Sequence, residues 1–338
     1  MKALVTGGGG FLGGVIVRML RERGDQVRSF SRGEHPALAA IGAEQLQGDL
    51  ADRAAVFKAA EGCDTVFHVA AKAGIWGSYP DFYRANVTGT ENIIAACQGL
   101  GIRTLVYTSS PSVVFDGRDV EGGDESLPYP PRFEAHYPET KALAEQLVLA
   151  AASPTLATVA LRPHLIWGPG DNHLVPRIVA KGRAGKLRQI GTRPCLVDTV
   201  YVDNAARAHL QAADRLTPDS QISGKAYFIS NGQPLPLWEM VNRILAAADV
   251  TPVTGSISPQ LAYAAGCICE CLWGTLRLAG EPPMTRFVAH ELATAHWFSI
   301  EAARRDFEYQ PEISIEEGLL RLRRWFQAAD HDSICSAG

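Results

Sequence analysis

The sequence predicts an α/β protein built on a doubly wound parallel sheet, with a smaller, mainly helical second domain. Three observations lead to this prediction. Short apolar runs alternate with helical patterns through the first half of the chain, as they do in successive βαβ units. A glycine-rich turn directly follows the first apolar run. After Pro163 the alternation stops, and beyond Gln233 the composition becomes mostly helical and apolar.

Each strand of the sheet is predicted from a short apolar run bounded by turn residues. The predicted strands are 2–6, 26–31, 44–49, 64–71, 103–110, 156–163 and 225–230. Helices are expected where apolar residues recur at helical spacing, near 12–23, 52–60, 80–100 and 137–152. The stretch VYVDNAARAHLQAA, residues 200–213, predicts the end of a strand that continues into a helix.

Composition narrows the class of protein. The chain has 338 residues, of which 46% are hydrophobic and 20% charged, so it can bury a large core. Its formal net charge of -4 provides no basic face for nucleic acid. The opening MKALVTGGGG lacks the apolar segment and cleavage site of a secretory signal, so we expect a cytoplasmic protein without a transmembrane segment.

The cysteines favour thiols over disulfides or a metal site. There are seven, an odd number, and most lie inside apolar patterns, which suits a reducing compartment. The run CICEC places Cys267, Cys269 and Cys271 two residues apart, whereas zinc sites usually space cysteines as C-x2-C with a second pair elsewhere. We therefore predict no metal.

The motif TGGGGFLG, residues 6–13, predicts a dinucleotide site. Gly7 permits a tight turn, Gly10 allows the backbone to approach a pyrophosphate, and Gly13 lets the helix pack closely on the sheet. The N-terminus of the helix near 12–23, with Phe11 and Leu12, would present free N–H groups to the phosphates. This is the phosphate-binding turn of a Rossmann sheet.

The end of the second strand indicates which dinucleotide binds. An acid here would bind the ribose 2′-hydroxyl of NAD, but the chain reads Phe30, Ser31 and Arg32. Ser31 can hydrogen-bond a 2′-phosphate and Arg32 can pair with it, so NADP(H) is favoured. Asp49 and Leu50, after the third strand, are expected to meet the adenine.

Two domains follow from these segments. Residues 1–163 and 200–232 are predicted to form the NADP-binding domain. Residues 164–199 and 233–330 are predicted to assemble a substrate domain from two insertions. The last residues, 331–338, are predicted to be a disordered tail.

Tyr137 and Lys141 are four residues apart, which places them on one face of a helix. That helix follows the fifth strand, whose end carries Ser109 and Ser110. Because ligands of α/β sheets bind beyond the carboxyl ends of the strands, we expect Ser110, Tyr137 and the dinucleotide to converge there.

Proton transfer is the chemistry that this set of residues predicts. A phenol with a pKa of about 10 is a poor base at neutral pH, but a nearby ammonium stabilises the phenolate. We expect Lys141 to lower the pKa of Tyr137 in this way. Tyr137 would then exchange a proton with the oxygen of a carbonyl or alcohol, and Ser110 would hydrogen-bond the same oxygen.

Several stretches together resemble the extended short-chain dehydrogenase/reductases over nearly the whole chain. They are TGxxGxxG, HVAA (68–71), NVTGT (86–90), YTSS (107–110), YPETK (137–141) and LRPHLIWGPGD (161–171). The resemblance implies that Ser110, Tyr137, Lys141 and Asn86 are catalytic, with Ser110 preferred to Ser109. It also implies that Ala70, Tyr137 and Lys141 contact the cofactor.

The C-terminal half resembles the 3β-hydroxysteroid dehydrogenase branch, through GEPPMTRF (280–287), HWFSIEAARRDFEYQP (296–311) and SIEEGL (314–319). Within it, GDNHLVPR, GKAYFISNGQPLP and CECLW resemble bacterial reductases of long-chain olefin biosynthesis. This implies NADPH-dependent, reversible reduction of a β-keto acid that carries two long alkyl chains, an apolar small-molecule substrate. A homodimer that uses 80–100 and 137–152, and association with other lipid-pathway enzymes, are implied as well.

The most apolar stretch, 261–280, is too interrupted to span a membrane. One helical face could cover a substrate pocket, meet another copy of the chain, or rest on a lipid surface as a peripheral contact. The residues of this face are Leu261, Ala265, Ile268, Leu272 and Leu276.

Three other functions stay open. A 3β-hydroxysteroid or sterol dehydrogenase would use the same catalytic residues on a rigid ring system. A sugar-nucleotide epimerase or dehydratase would need polar groups for a nucleotide diphosphate in the second domain. A non-catalytic NADP-binding protein would typically lose Tyr137 or Lys141, and both are present.

Overall fold

The structure is a computed structural model that describes the backbone of residues 1–335 and the side chains of residues 1–328. Its strands are β1 (Lys2–Thr6), β2 (Gln26–Ser31), β3 (Glu44–Gln47), β4 (Thr65–His68), β5 (Thr104–Thr108), β6 (Val120–Gly123), β7 (Ala157–Pro163), β8 (Ile166–Trp167), β9 (Gln189–Ile190), β10 (Leu196–Val197), β11 (Val200–Tyr201), β12 (Lys225–Ile229), β13 (Leu235–Pro236), β14 (Ser256–Ile257) and β15 (His296–Phe298).

The helices alternate with these strands through the first half and dominate the second. They are α1 (Phe11–Glu22), α2 (Pro36–Ala40), α3 (Arg53–Ala60), α4 (Tyr79–Tyr83), α5 (Gly89–Leu100), α6 (His136–Ala150), α7 (Leu174–Arg183), α8 (Val202–Arg215), α9 (Leu237–Ala247), α10 (Pro259–Leu276), α11 (Arg286–Glu291), α12 (Glu301–Phe307) and α13 (Ile315–Cys335). Helix α13 extends into the segment predicted as a disordered tail, of which residues 336–338 lie outside the described part.

The central sheet is seven-stranded and entirely parallel, in the order β12-β7-β5-β4-β1-β2-β3. Side chains of successive strand residues point to opposite faces, and both faces are covered. Val5 packs in one cluster with Ile16 of α1, while Leu4 packs in the other with Ile93 of α5 and Val148 of α6. This is the predicted doubly wound α/β fold, and all seven predicted strands are present.

A smaller sheet lies beside the main one, in the order β13-β10-β15-β6. Three of its strands come from the C-terminal half, but β6 lies between β5 and α6 and pairs in parallel with β15. Helices α9, α10 and α11 supply the apolar cluster on this side, together with Val197 and Ile190. The chain around α6 is therefore tied to both sheets.

The helix predicted at 80–100 is divided in the structure. Helix α4 ends at Tyr83, a π-helical turn covers Arg84–Thr88, and α5 continues from Gly89. Single π-helical turns widen a helix locally and are common at functional sites. This one contains Asn86, whose side chain is buried.

A buried ion pair anchors α6 to the sheet. The guanidinium of Arg162 on β7 donates to both carboxylate oxygens of Glu145 on α6, at 2.9 and 2.6 Å. Both side chains are almost fully enclosed, and the Tyr129 hydroxyl donates to the same carboxylate at 2.7 Å. Since two-point pairs of this kind fix direction as well as distance, the pair sets how α6 lies on β7.

Helix α10 is apolar along much of its length, and four of its large apolar side chains are exposed. Among the helices that the structure describes, none has the length and apolar composition needed to cross a bilayer.

Candidate active site

The glycine-rich turn lies where the strand order reverses, between β1 and β4. Gly7 has a positive φ of 69°, and a Cβ there would approach the main chain of Ala70 to 3.0 Å. A Cβ on Gly13 would lie 2.2 Å from the Gly7 carbonyl oxygen. Such distances exclude side chains, so the turn can close only with glycine at these two positions.

Helix α1 begins at this turn with its first N–H groups available. Gly10 is the N-cap residue and provides no side-chain cap, and the first turn contains no acid. An uncapped helix N-terminus of this length is a ready site for an anion. Phe11, Leu12 and Gly13 form its first turn, so the structure places the predicted phosphate-binding residues together. They fit the pyrophosphate of a dinucleotide.

The ends of β2 and β3 lie beside this turn. The Ser31 hydroxyl donates to the Gly33 carbonyl at 2.9 Å, and Arg32 is exposed. The Asp49 carboxylate pairs with Arg84 at 2.8 Å. Leu50 packs against Gly89, where a Cβ would approach the Leu50 Cβ to 2.9 Å. No acid stands at the end of β2 itself.

Tyr137 lies at the start of α6 and faces Ser110, the second residue after β5. Burial raises the pKa of the Tyr137 phenol, the nearby Ser110 hydroxyl lowers it, and the Glu291 carboxylate raises it. Ser110 also caps the short helix Pro111–Val114 by accepting from the Ser112 amide at 3.2 Å. Ser109 is buried, and its hydroxyl makes no hydrogen bond within the described residues. The residue that faces Tyr137 is thus Ser110.

Lys141 lies one turn further along α6 and is 2% exposed. Its ammonium donates to the Thr108 carbonyl oxygen and lies 4.1 Å from the centre of the Tyr107 ring. Burial lowers its pKa to about 7, although the charge of Glu145 raises it. The expectation that Lys141 lowers the pKa of Tyr137 is wrong in this structure. Burial raises the pKa of Tyr137, and Lys141 is not among the groups that shift it.

Asn86 contacts α6 through Thr140. Its amide donates to the Lys72 carbonyl at 3.1 Å and to the Thr140 hydroxyl at 3.0 Å, and its oxygen accepts from the Lys72 amide at 2.7 Å. Thr140 lies between Tyr137 and Lys141 and donates back to the His136 carbonyl at 2.8 Å. The structure therefore joins Asn86 to the turn that carries Tyr137 and Lys141, without a hydrogen bond to either side chain among the described contacts.

A cavity of about 590 Å³ opens beside the start of α6. Apolar side chains from the loop before α4 and from α11 form much of its wall, with Cys267, Glu270 and Cys271 of α10. The apolar face predicted to cover a pocket lies elsewhere on α10. Leu261, Ile268, Leu272 and Leu276 of that face are 43–63% exposed. Contact of this outer face with lipid or with a second copy stays a prediction.

A group of buried polar residues near the site was not identified from the sequence. His164, at the end of β7, bonds to Asp198 and His296, and Glu291 lies close to both His164 and Tyr137. Asp171 is not part of this group, because its carboxylate caps the start of α7. No local motif links these positions.

Comparison with known proteins identifies the family. Residues 4–257 match the 3-beta hydroxysteroid dehydrogenase/isomerase family. The chain belongs to this family. It is therefore an oxidoreductase.

The names of relatives in this family refer to different substrates. A 2-alkyl-3-oxoalkanoate reductase of Stenotrophomonas maltophilia (strain K279a) is 56% identical over 325 residues, which cover 96% of this chain and 98% of the relative. A sterol-4-alpha-carboxylate 3-dehydrogenase, decarboxylating, of Mus musculus is 35% identical over 330 residues, which cover 96% and 91%. The crystal structure of a Thermus thermophilus UDP-glucose 4-epimerase complexed with NAD has a TM-score of 0.74 at 23% identity, covers 97% and 100%, and supports the fold alone.

Replacing Gly13 with alanine tests the phosphate-binding turn. The new Cβ would collide with the Gly7 carbonyl, so we expect Gly13→Ala to raise the Kd for the dinucleotide by about tenfold or more. Gly14→Ala is the matched control, because its Cβ would lie 3.4 Å from its nearest neighbour, an ordinary contact. Fluorescence titration with NADPH measures both. Equal binding by the two variants would contradict this role of the turn.

The buried Lys141 predicts a pH-dependent stability. Its folded pKa of about 7 lies below the unfolded value of about 10.4, so between these pH values the unfolded chain binds more protons. The free energy of unfolding should therefore rise with pH across this window, by up to ~1.4 kcal/mol per pH unit relative to Lys141→Met. Urea unfolding at several pH values measures this difference.

The exposed Lys58 provides the control for this measurement. Lys58→Met should change the free energy of unfolding by the same small amount at every pH. If Lys141→Met and the wild type showed parallel pH profiles, the low pKa of Lys141 would be refuted.

Proposed function

We propose that this protein reduces the ketone of a 2-alkyl-3-oxoalkanoate to the 3-hydroxy acid, with NADPH as the reductant. The observation that carries the proposal is the Tyr137–Ser110 pair at the end of β5, on the same sheet edge as the glycine turn. The substrate class rests on the relative from Stenotrophomonas maltophilia and its 56% identity. A role in hydrocarbon (olefin) biosynthesis is part of the same proposal.

Tyr137 acts as the proton donor. Burial raises the pKa of its phenol, so the hydroxyl keeps its proton at neutral pH until a ketone oxygen receives it. Ser110 donates a hydrogen bond to the same oxygen and orients the ketone. When bound, the nicotinamide supplies hydride to the ketone carbon. The carbonyl thus becomes an alcohol, with its new O–H proton from Tyr137.

Lys141 and Asn86 support the proton donor. Lys141 donates to the carbonyl oxygen of Thr108, the last residue of β5, which immediately precedes Ser109 and Ser110. We also assign Lys141 a contact with the cofactor ribose. Asn86 holds the first turn of α6 through Thr140. Ser110 and Tyr137 touch the reacting oxygen in this scheme, and Asn86 positions Tyr137 through Thr140.

The cavity beside α6 suits an apolar substrate. Its volume lies within the range of small-molecule sites, and Ile75, Trp76, Phe82 and Phe287 contribute to its wall. His136, which precedes Tyr137, also lines it, so an alkyl chain in the cavity would end close to the proton donor. This supports a long-chain ketone.

The choice of NADPH over NADH rests on the end of β2. Ser31 and the exposed Arg32 stand where an acid would bind the 2′-hydroxyl of NAD. A guanidinium matches a phosphate in charge and geometry.

A second candidate is the oxidation or reduction of a steroid or sterol at C3. The family and the relative from Mus musculus favour it. The same Tyr137 and Ser110 would serve this reaction, so only the substrate differs.

Steady-state assays with two substrates test the function. We expect the wild type to oxidise NADPH, followed by absorbance, with a 2-alkyl-3-oxoalkanoate and far more slowly with a 3-oxosteroid. Tyr137→Phe loses the transferable proton, so turnover should fall by about 10²–10⁴ while NADPH binding changes little. Turnover of the steroid alone would replace the substrate assignment, and full activity of Tyr137→Phe would refute the mechanism.

Arg32→Ala tests the cofactor choice. Loss of a charge-assisted contact with the 2′-phosphate should raise the Kd for NADPH by about tenfold or more and leave the Kd for NADH within about twofold. Arg183→Ala, which removes an exposed arginine from α7, is the control and should change neither value. Equal weakening of NADPH and NADH by Arg32→Ala would refute this assignment.

A further inference from the structure

A buried histidine, His68, ends β4 and is hydrogen-bonded on both sides of its ring. Its Nδ1 lies 2.8 Å from the Thr6 hydroxyl oxygen, and its Nε2 lies 3.0 Å from the Thr90 hydroxyl oxygen. Thr6 ends β1 directly before the glycine turn, and Thr90 lies in the first turn of α5. All three residues are at most 1% exposed. The imidazole therefore joins the strand that leads into the glycine turn to helix α5.

The Thr90 hydroxyl shows which ring nitrogen carries a proton. Thr90 Oγ1 lies 2.6 Å from the main-chain carbonyl oxygen of Asn86, which can only accept, so the single hydroxyl hydrogen of Thr90 is donated there. No hydrogen of Thr90 is left for the ring. His68 Nε2 must therefore be protonated and donate to Thr90.

The Thr6 hydroxyl shows the state of the other ring nitrogen. Thr6 Oγ1 accepts from the main-chain amides of Val69 and Ala70, both at 3.1 Å, which occupies its two lone pairs. Its own hydrogen is therefore donated to His68 Nδ1, which must be unprotonated. The hydrogen bonds thus define a neutral imidazole with its proton on Nε2. Burial lowers the pKa of His68 to about 3 and the charge of Lys141 lowers it as well, which agrees with this state.

The hydrogen bonds continue from Asn86 to the start of α6. The Asn86 side-chain amide donates to the Thr140 hydroxyl at 3.0 Å, and Thr140 donates to the His136 carbonyl at 2.8 Å. Every link has a defined donor and a defined acceptor, and the path ends at the residue before Tyr137. We call the side chains that form this path the buried network: Thr6, His68, Thr90, Asn86 and Thr140.

The Thr6 side of the network borders the dinucleotide site. By accepting from the amides of Val69 and Ala70, Thr6 holds the loop after β4 beside the glycine turn. The two segments are so close that a Cβ on Gly7 would approach the main chain of Ala70 to 3.0 Å. The contact of His68 with Thr6 therefore shapes the dinucleotide site, whereas its contact with Thr90 shapes the position of Asn86.

We propose that His68 is a positioning residue that couples the dinucleotide site to the proton donor. This inference rests on the proposed function. The Nδ1 acceptor holds Thr6 beside the glycine turn, and the Nε2–H donor holds Thr90 and the rest of the network up to α6. A protonated ring would have no acceptor for Thr6 and would place a second positive charge near Lys141. His68 acts through these neighbours and not on the reacting atoms.

Two substitutions separate the two sides of the ring. Asparagine places its amide oxygen near the position of Nδ1, so His68→Asn keeps an acceptor for Thr6 and loses the donor to Thr90. Glutamine places its amide nitrogen near the position of Nε2, so His68→Gln keeps the donor and loses the acceptor. We expect His68→Asn to lower kcat by about tenfold or more and to leave the Kd for NADPH within about twofold. We expect His68→Gln to raise that Kd by about tenfold or more and to leave kcat at saturating NADPH within about threefold.

Thr90→Val tests the same link from the other partner. It should lower kcat as much as His68→Asn does, and the double variant should be no slower than either single variant, because both remove one interaction. Thr158→Val is the matched control. This fully buried threonine on β7 makes no side-chain hydrogen bond among the described residues, so its substitution should change neither kcat nor the Kd for NADPH.

The proton position can be measured in the wild type, with NADPH bound and without substrate. Nitrogen-15 NMR of protein labelled at histidine distinguishes protonated from unprotonated ring nitrogens, and the signal lost in His68→Asn belongs to His68. We expect Nε2 to be protonated and Nδ1 to be unprotonated at neutral pH. A proton on Nδ1, alone or in an imidazolium, would overturn the inference.

The kinetic results can also contradict the coupling. Parallel changes of kcat and of the Kd for NADPH in His68→Asn and His68→Gln would show a structural role alone, and additive effects of His68→Asn and Thr90→Val on kcat would show two separate interactions. Either result, with normal wild-type turnover of a 2-alkyl-3-oxoalkanoate, would overturn this inference and leave the proposed function intact. Wild-type turnover of a 3-oxosteroid alone would overturn the proposed substrate, and kcat for that steroid would then test His68.

Discussion

The burial of Lys141 is the constraint on which the rest of the site depends. An ammonium that is 2% exposed is unfavourable unless nearby groups stabilise it. The Thr108 carbonyl and the Tyr107 ring do so from β5, and the charge of Glu145 does so from α6. These contacts require the first two turns of α6 to lie against the end of β5. Tyr137 consequently meets Ser110.

Other buried contacts hold α6 in the same place. Glu145 pairs with Arg162 on β7, and Thr140 bonds to Asn86 in the π-helical turn. The helix is thus fixed to the strand on one side and to the neighbouring helix on the other. Replacing any one of these groups would remove a hydrogen bond from its buried partner, and a buried donor or acceptor left unsatisfied costs more than the bond itself contributes. The position of Tyr137 follows from this shared arrangement.

Local sequence patterns were sufficient to predict the strands of the sheet and to suggest the residues proposed for the site. Strands such as 2–6 and 26–31 were predicted at their observed bounds, because apolar runs between turns depend on neighbouring residues alone. The glycine turn and the Tyr137–Lys141 spacing are local as well. The His164–His296 contact joins residues 132 positions apart, so no local pattern could reveal it. For α10, the pattern identified an apolar face but not which neighbour would cover it.

Two glutamates near Tyr137 show how the surroundings decide chemistry. Glu145 is enclosed with Arg162 and Tyr129, so its charge is paired and its oxygens are occupied. Glu291 is partly exposed, its carboxyl makes no hydrogen bond among the described side chains, and burial raises its pKa to about 7. The first holds α6 in place and stabilises the ammonium of Lys141. The second can change its protonation at neutral pH beside the proton donor, so it can respond to the charge of whatever enters the site. The glutamate whose protonation can change near neutral pH is therefore the one without a paired arginine.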